Sequence, residues 1–82
     1  MAYTYILYSR QLDKYYIGHT ETSPEARLVK HLTDHDGFTA RVKDWEIVWT
    51  TFFATKSEAY ALERRIKGWK SKQAIVKLIT GA

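Results

Sequence analysis

The chain has 82 residues, which allows one domain with a thin hydrophobic core. It carries a net charge of +4 and contains no cysteine, which excludes disulfides and thiolate metal sites and fits a reducing compartment. No apolar run is long enough for a signal peptide or a membrane span. We therefore expect a single cytoplasmic domain over residues 1–82.

Two short strands are predicted near the N-terminus. Residues Tyr3 to Tyr8 are β-branched and aromatic, and Tyr15 to His19 repeat this pattern after a polar stretch. The spacing indicates a hairpin with a longer loop. Because side chains alternate along a strand, Tyr16 and Gly18 should share one face of the second strand, and Tyr5 should lie on a face of the first.

A helix is predicted to follow the hairpin. Ser23 is a good N-cap residue, and Pro24 is tolerated at the first helical position. Arg27 and His31 are four residues apart, so they should project together beside an apolar stripe. The polar segment from Asp34 to Asp44 is typical of a loop.

The third predicted strand runs from Trp45 to Phe53. Strict alternation assigns Ile47 and Trp49 to one face and Val48 to the other. Apolar residues on both faces indicate that the strand is covered on both sides.

Two more helices complete the chain. Thr55 and Glu58 form a capping box before the first, and Ser71 can cap the second, which Gly81 should end. The buried stripe of the first helix is predicted to contain Ala59, Leu62, Ile66 and Trp69. The resulting order β-β-α-β-α-α predicts an α+β fold.

The last part of the chain is basic. After Glu63 it contains six basic residues and no acidic one: Arg64, Arg65, Lys67, Lys70, Lys72 and Lys77. Such a segment would attract a polyanion. A solvated helical face explains the same charges equally well.

Few residues are candidates for chemistry. Glu63 falls at the edge of a buried stripe, where a carboxylate is costly unless it pairs with Arg27 or Lys67 or binds a cation. His31 and His35 are four residues apart, but no HExxH pattern or clear third ligand supports a histidine metal site. The sequence has no glycine-rich phosphate loop and no nucleophilic serine or cysteine elbow.

Together these residues resemble the GIY-YIG nuclease superfamily, in particular its small single-domain bacterial members related to the N-terminal domain of the excision-repair incision subunit. Tyr5 matches the last residue of the first motif, whose glycine is replaced here, and Tyr16-Ile17-Gly18 matches the second motif in full. Arg27 matches the family's helix arginine, and His31 matches the residue one turn later. Glu63 matches the metal-binding glutamate.

The resemblance implies a small three-stranded antiparallel sheet flanked by helices, and a metal-dependent endonuclease that hydrolyses DNA, in repair or recombination. It implies Mg²⁺ or Mn²⁺ on Glu63 and places Arg27 against the phosphate. Tyr5 is the general base by resemblance, with Tyr16 positioning the water or phosphate. His31 is chemically the easier base, because its ordinary pKa is near neutrality. The choice between them stays open at this point.

DNA is the implied partner of a monomer or weak dimer that does not bind membranes. The candidate nucleic-acid contacts are His19, Arg64, Lys67 and Lys70, and Gly18 would permit close approach of the backbone at the site. His19 stands where some relatives carry lysine, and the chain has no asparagine to match a late one in larger relatives. Two alternatives remain: a catalytically silent nucleic-acid-binding module, and a small interaction domain whose tyrosines only pack.

Overall fold

The computed structural model describes residues 1–33 and 42–81. Its elements, in chain order, are β1 (Ala2–Ser9), β2 (Lys14–Thr20), α1 (Pro24–Thr33), β3 (Glu46–Phe53), α2 (Lys56–Trp69) and α3 (Lys72–Thr80). This confirms the predicted order and the α+β fold. Most of the predicted loop after α1 lies outside the described residues.

The strands form one antiparallel sheet in the order β2-β1-β3. Because β1 is central, its alternating side chains are buried on both faces of the sheet. On one face Ile6 packs with Ile66 of α2 and Ile75 of α3. On the other face Leu7 packs with Leu28 of α1. The sheet therefore separates α1 from α2 and α3.

A register shift in β3 corrects one sequence prediction. Trp49 pairs with Ile6 and Ile47 pairs with Leu7, so Val48 is an extra residue between two consecutive pairs. Ile47 consequently packs on the α1 side, whereas Val48 and Trp49 both pack on the α2 and α3 side. The prediction that Ile47 and Trp49 share a face was wrong, because it assumed an uninterrupted two-residue period.

The predicted helix ends are confirmed. The hydroxyl groups of Ser23, Thr55 and Ser71 each accept a backbone N–H from three residues further on, at 3.1, 3.3 and 3.2 Å. Gly81 ends α3 with a left-handed φ of 75°, which favours glycine. Trp69 was wrongly predicted to be buried. It is the last residue of α2 and is 39% exposed, because the helix ends there beyond the core.

Candidate active site

Tyr5 lies at the centre of the candidate site, with only 1% of its surface exposed. Its cross-strand partner on β2 is Gly18. A Cβ atom built on Gly18 would lie 2.6 Å from the Tyr5 hydroxyl oxygen and 2.7 Å from Cζ. The missing side chain therefore makes room for the tyrosine ring. That Gly18 permits close approach of the backbone at the site stays a prediction, and the structure shows the Tyr5 ring occupying the space beside it.

Helix α1 brings two polar side chains to Tyr5. The tyrosine hydroxyl and His31 Nε2 are hydrogen-bonded at 3.0 Å. The Arg27 guanidinium group, one helical turn before His31 on the same face of α1, lies close enough to this hydroxyl to affect its pKa. Burial raises the pKa of Tyr5 above its ordinary value of 10.0, and Arg27 opposes this rise.

One nitrogen of Arg27 has an unusual environment. Its Nε is buried and has no hydrogen-bond acceptor within residues 1–33 and 42–81. A buried donor without an acceptor costs about 1–3 kcal/mol, so such atoms are uncommon in folded proteins. A phosphate oxygen would satisfy it, because a guanidinium group matches the geometry of phosphate.

Tyr16 contacts residues of both α1 and α2. Its ring meets the His31 ring edge-on, with the centroids 4.8 Å apart. Lys67 Nζ of α2 lies 5.7 Å from the centre of the same ring. The tyrosine is half-buried, so part of the ring remains accessible to a ligand.

Glu63 provides the acidic group of the site and is only 8% exposed. Its Oε1 is 2.6 Å from Nδ1 of His19, and its Oε2 accepts a hydrogen bond of 2.9 Å from Lys67 Nζ. The pairing with Lys67 is one that the sequence allowed. Burial is the main cause of the raised pKa of Tyr5, and the negative charge of Glu63 adds a minor contribution.

The remaining predicted contacts lie along α2 and the end of β2. His19 was assigned to nucleic acid, and the structure places it against Glu63, with its ring centroid 5.1 Å from that of Tyr60. The guanidinium carbon of Arg64 lies 5.7 Å from the centre of the Tyr60 ring. Lys70 is exposed. Sequence reasoning missed Tyr60, although it lies one helical turn before Glu63 and therefore on the same side of α2.

The surroundings of Glu63 are compatible with an Mg²⁺ or Mn²⁺ ion. Each carboxylate oxygen makes one hydrogen bond, and a carboxylate offers about four acceptor positions, so ligand capacity remains. Mg²⁺ in proteins commonly binds one or two carboxylates, waters and substrate phosphates. Within the described ranges no group of three or more His, Cys, Asp or Glu side chains could hold a metal ion. His35 lies outside those ranges, so the His31–His35 pair stays a prediction.

In a comparison with protein families, residues 1–76 match the model of the GIY-YIG catalytic domain. The match spans every residue placed in the site above. Comparisons with curated proteins and with solved structures give no significant match. In the part of the chain that the structure describes, no helix is sufficiently long and apolar to cross a bilayer.

Proposed function

Because this chain belongs to the GIY-YIG catalytic domain family, we propose that it is a metal-dependent endonuclease that hydrolyses phosphodiester bonds in DNA. Family membership supports a nuclease in general terms. DNA as the substrate, the metal ion and a cytoplasmic role in repair or recombination are the finer parts of the proposal. The observation that carries it is the series of contacts that runs from Tyr5 through His31, Tyr16 and Lys67 to Glu63.

Arg27 is the proposed phosphate ligand. Its buried Nε lacks an acceptor within the described residues, and its guanidinium group lies close enough to Tyr5 to lower the pKa of the phenol. A phosphate oxygen held there would lie beside the phenol. Positive charge at this position stabilises the negative charge that develops on the pentacovalent phosphate.

Glu63 is the proposed metal ligand, with Mg²⁺ or Mn²⁺ as the ion. A divalent cation bound at this carboxylate would supply charge that polarises the phosphate and stabilises the leaving 3′-oxygen. His19 fixes the carboxylate on one side through the 2.6 Å contact, so Glu63 presents its oxygens in a defined orientation.

Tyr5 and His31 are the proposed general base, acting as a pair. Burial raises the pKa of Tyr5, so the phenol keeps its proton at neutral pH and cannot act as a base alone. His31 Nε2, in the tautomer that leaves this nitrogen unprotonated, accepts the Tyr5 proton through the 3.0 Å hydrogen bond. The phenol oxygen in turn takes a proton from the attacking water. The water oxygen bonds to phosphorus, the bond to the 3′-oxygen breaks, and solvent protonates the leaving oxygen.

The test is nicking of supercoiled plasmid DNA by the purified protein with Mn²⁺. We expect the wild-type protein to nick the plasmid and Glu63→Gln to lose this activity. Glu46→Gln is the matched control, because Glu46 is an exposed acid on β3. Nicking that survives in Glu63→Gln would contradict the assignment of the metal ligand.

The same purified protein distinguishes a nuclease from a silent binding module and from an interaction domain. Salt-sensitive DNA binding without any nicking would identify a catalytically silent binding module. Absence of both binding and nicking would favour an interaction domain, and the proposed function would then be wrong.

A further inference from the structure

A cleft of about 420 Å³ lies beside the candidate active site, along the outer edge of β2 and beneath α2 and α3. Its volume falls within the range of about 300–1,000 Å³ that is typical of small-molecule pockets. Its inner surface is apolar and includes Ile17, Ile66 and Ile75. Tyr15 and Tyr16 add aromatic surface to the same cleft. This lining suits a flat, largely apolar ligand.

The rim of the cleft is basic. Four lysines line it, namely Lys14, Lys67, Lys70 and Lys72, against a single acid, Asp13. Lys72 forms an ion pair with Asp13, and Lys67 forms one with Glu63, so the rim keeps a smaller excess of positive charge. The ligand that complements this rim carries negative charge beside its apolar part. A nucleotide has both, since a base provides the flat part and the flanking phosphates provide the charge.

The β2 edge offers hydrogen bonds as well. β2 is an outer strand of the described sheet, so alternate backbone N–H and C=O groups point away from β1. The cleft runs along residues 14–17 of this strand. A nucleobase that is not paired with another base has donors and acceptors free along its edge, which such backbone groups can satisfy.

Two residues belong both to the cleft and to the active site. Tyr16 lines the cleft and contacts His31, while Lys67 lines the cleft and hydrogen-bonds to Glu63. A group bound in the cleft is therefore the immediate neighbour of a phosphate held between Arg27 and Glu63.

We propose that this cleft binds an unpaired nucleobase next to the scissile phosphate, so that the substrate is DNA containing a bulged, mismatched or single-stranded nucleotide. The inference rests on the proposed function and narrows its substrate class. A base inside a regular duplex is stacked and paired and cannot enter the cleft, whereas an unpaired base enters at a smaller unstacking cost.

The test compares two DNA duplexes that differ only in one additional, unpaired 2-aminopurine. Binding is measured by fluorescence anisotropy in EDTA, so that cleavage does not interfere. We expect the bulged duplex to bind about tenfold more tightly, since its unpaired base can stack on the aromatic side chains of the cleft. We also expect the emission of the 2-aminopurine to change on binding, which reports the base environment without any substitution. Equal affinity for the two duplexes would overturn the inference.

Tyr15→Leu tests the aromatic wall. Leucine keeps apolar contact with the neighbouring core but removes the aromatic face on which a base would stack. The ratio of the affinities for the bulged and the regular duplex should therefore fall towards one. Tyr15→Phe should restore it. Phe52→Leu is the matched control, because Phe52 is an exposed aromatic residue on β3 outside the cleft. A bulge preference that persists unchanged in Tyr15→Leu would contradict the proposal.

The outcomes distinguish the two proposals. Nicking that depends on Glu63, together with equal affinity for both duplexes, would leave the proposed function intact and remove the base-binding cleft. A bulge preference that depends on Tyr15, without nicking, would support the cleft and contradict the enzymatic proposal.

Discussion

Tyr5 and Gly18 face each other as direct partners on β1 and β2, and the tyrosine ring lies where a side chain on residue 18 would be. Gly18→Ala would place a Cβ atom 2.6 Å from the tyrosine oxygen, which requires the buried ring to move. We expect the free energy of unfolding to fall by about 1–3 kcal/mol, the usual cost of overpacking. Urea unfolding measures this change. The displaced ring should also lower nicking.

Gly68→Ala is the matched control for this substitution. Gly68 lies within α2, and a Cβ atom there meets nothing within 4 Å. Alanine is a better helix former than glycine, so Gly68→Ala should raise stability, by up to about 1 kcal/mol. If the two alanine variants were equally stable, the packing explanation for Gly18 would be wrong.

The ends of the helices could be predicted from the sequence because capping is local chemistry. Ser23, Thr55 and Ser71 act on backbone groups only three residues away, so no knowledge of the tertiary fold is needed. The side of the sheet that Ile47 occupies could not be predicted. It depends on the bulge at Val48, which arises from pairing with β1 and not from the sequence of β3 alone.

The candidate site was predictable only in part for the same reason. The four-residue spacing of Arg27 and His31 placed both on one helical face. That both side chains come close to the hydroxyl of Tyr5 is determined by how α1 packs on the sheet. The contact between His19 and Glu63 joins positions 44 residues apart, and no local pattern indicates it.

Alkaline pH should destabilise the protein partly through Tyr5. Because burial raises its pKa, the folded chain holds the phenol proton more tightly than the unfolded chain does. The contribution of Tyr5 to the free energy of unfolding is therefore fully present below about pH 10, and it is lost as the pH rises from there through the folded-state pKa.

Tyr5→Phe should make this decline shallower in urea unfolding measured between about pH 8 and 11. Tyr60→Phe controls for the loss of one titratable phenol, since Tyr60 is exposed. Identical slopes for the two variants would contradict the prediction.

Acid pH should destabilise the protein partly through Asp44. The hydrogen bond of 2.7 Å from the Ser9 hydroxyl lowers the pKa of Asp44, and a bond of 2.9 Å from the Gln11 backbone N–H acts in the same direction. Its contribution is present above the ordinary value of 3.8 and is lost as the pH falls through the lower folded-state pKa. Asp44→Asn should therefore reduce the stability of the protein at neutral pH. It should also make the loss of stability with falling pH smaller than in the wild type. Thermal unfolding from pH 7 to pH 2 measures this, with Glu46→Gln as the exposed-acid control. An Asp44→Asn protein as stable as the wild type at neutral pH would exclude this role for the carboxylate.

Arg27 should not be replaceable by lysine. A lysine ammonium keeps the positive charge but lacks the planar set of donors that can bond both Tyr5 and a phosphate. We expect Arg27→Lys to lower the rate of plasmid nicking by about 100-fold or more, on the scale of removing one positioned donor from a developing oxyanion. Arg64→Lys is the control, because Arg64 is exposed and lies over Tyr60, so it should change nicking little. Comparable losses in the two variants would show that general positive charge, and not the guanidinium geometry at position 27, supports activity.

Lys67 should weaken metal binding while it strengthens DNA binding. Its ammonium group lies 2.9 Å from Glu63 Oε2, so its charge repels a cation that approaches the same carboxylate. Lys67→Met should therefore lower the Mn²⁺ concentration for half-saturation, by about tenfold for a coupling of about 1.4 kcal/mol. Electron paramagnetic resonance of free Mn²⁺ measures this without any cleavage assay.

Lys70→Met is the matched control, because Lys70 lines the same cleft and no ion pair joins it to Glu63. Both variants should reduce the salt dependence of DNA binding by about one phosphate contact, but only Lys67→Met should change metal affinity. Weaker Mn²⁺ binding by Lys67→Met would show that the lysine orients Glu63 for the ion and does not compete with it.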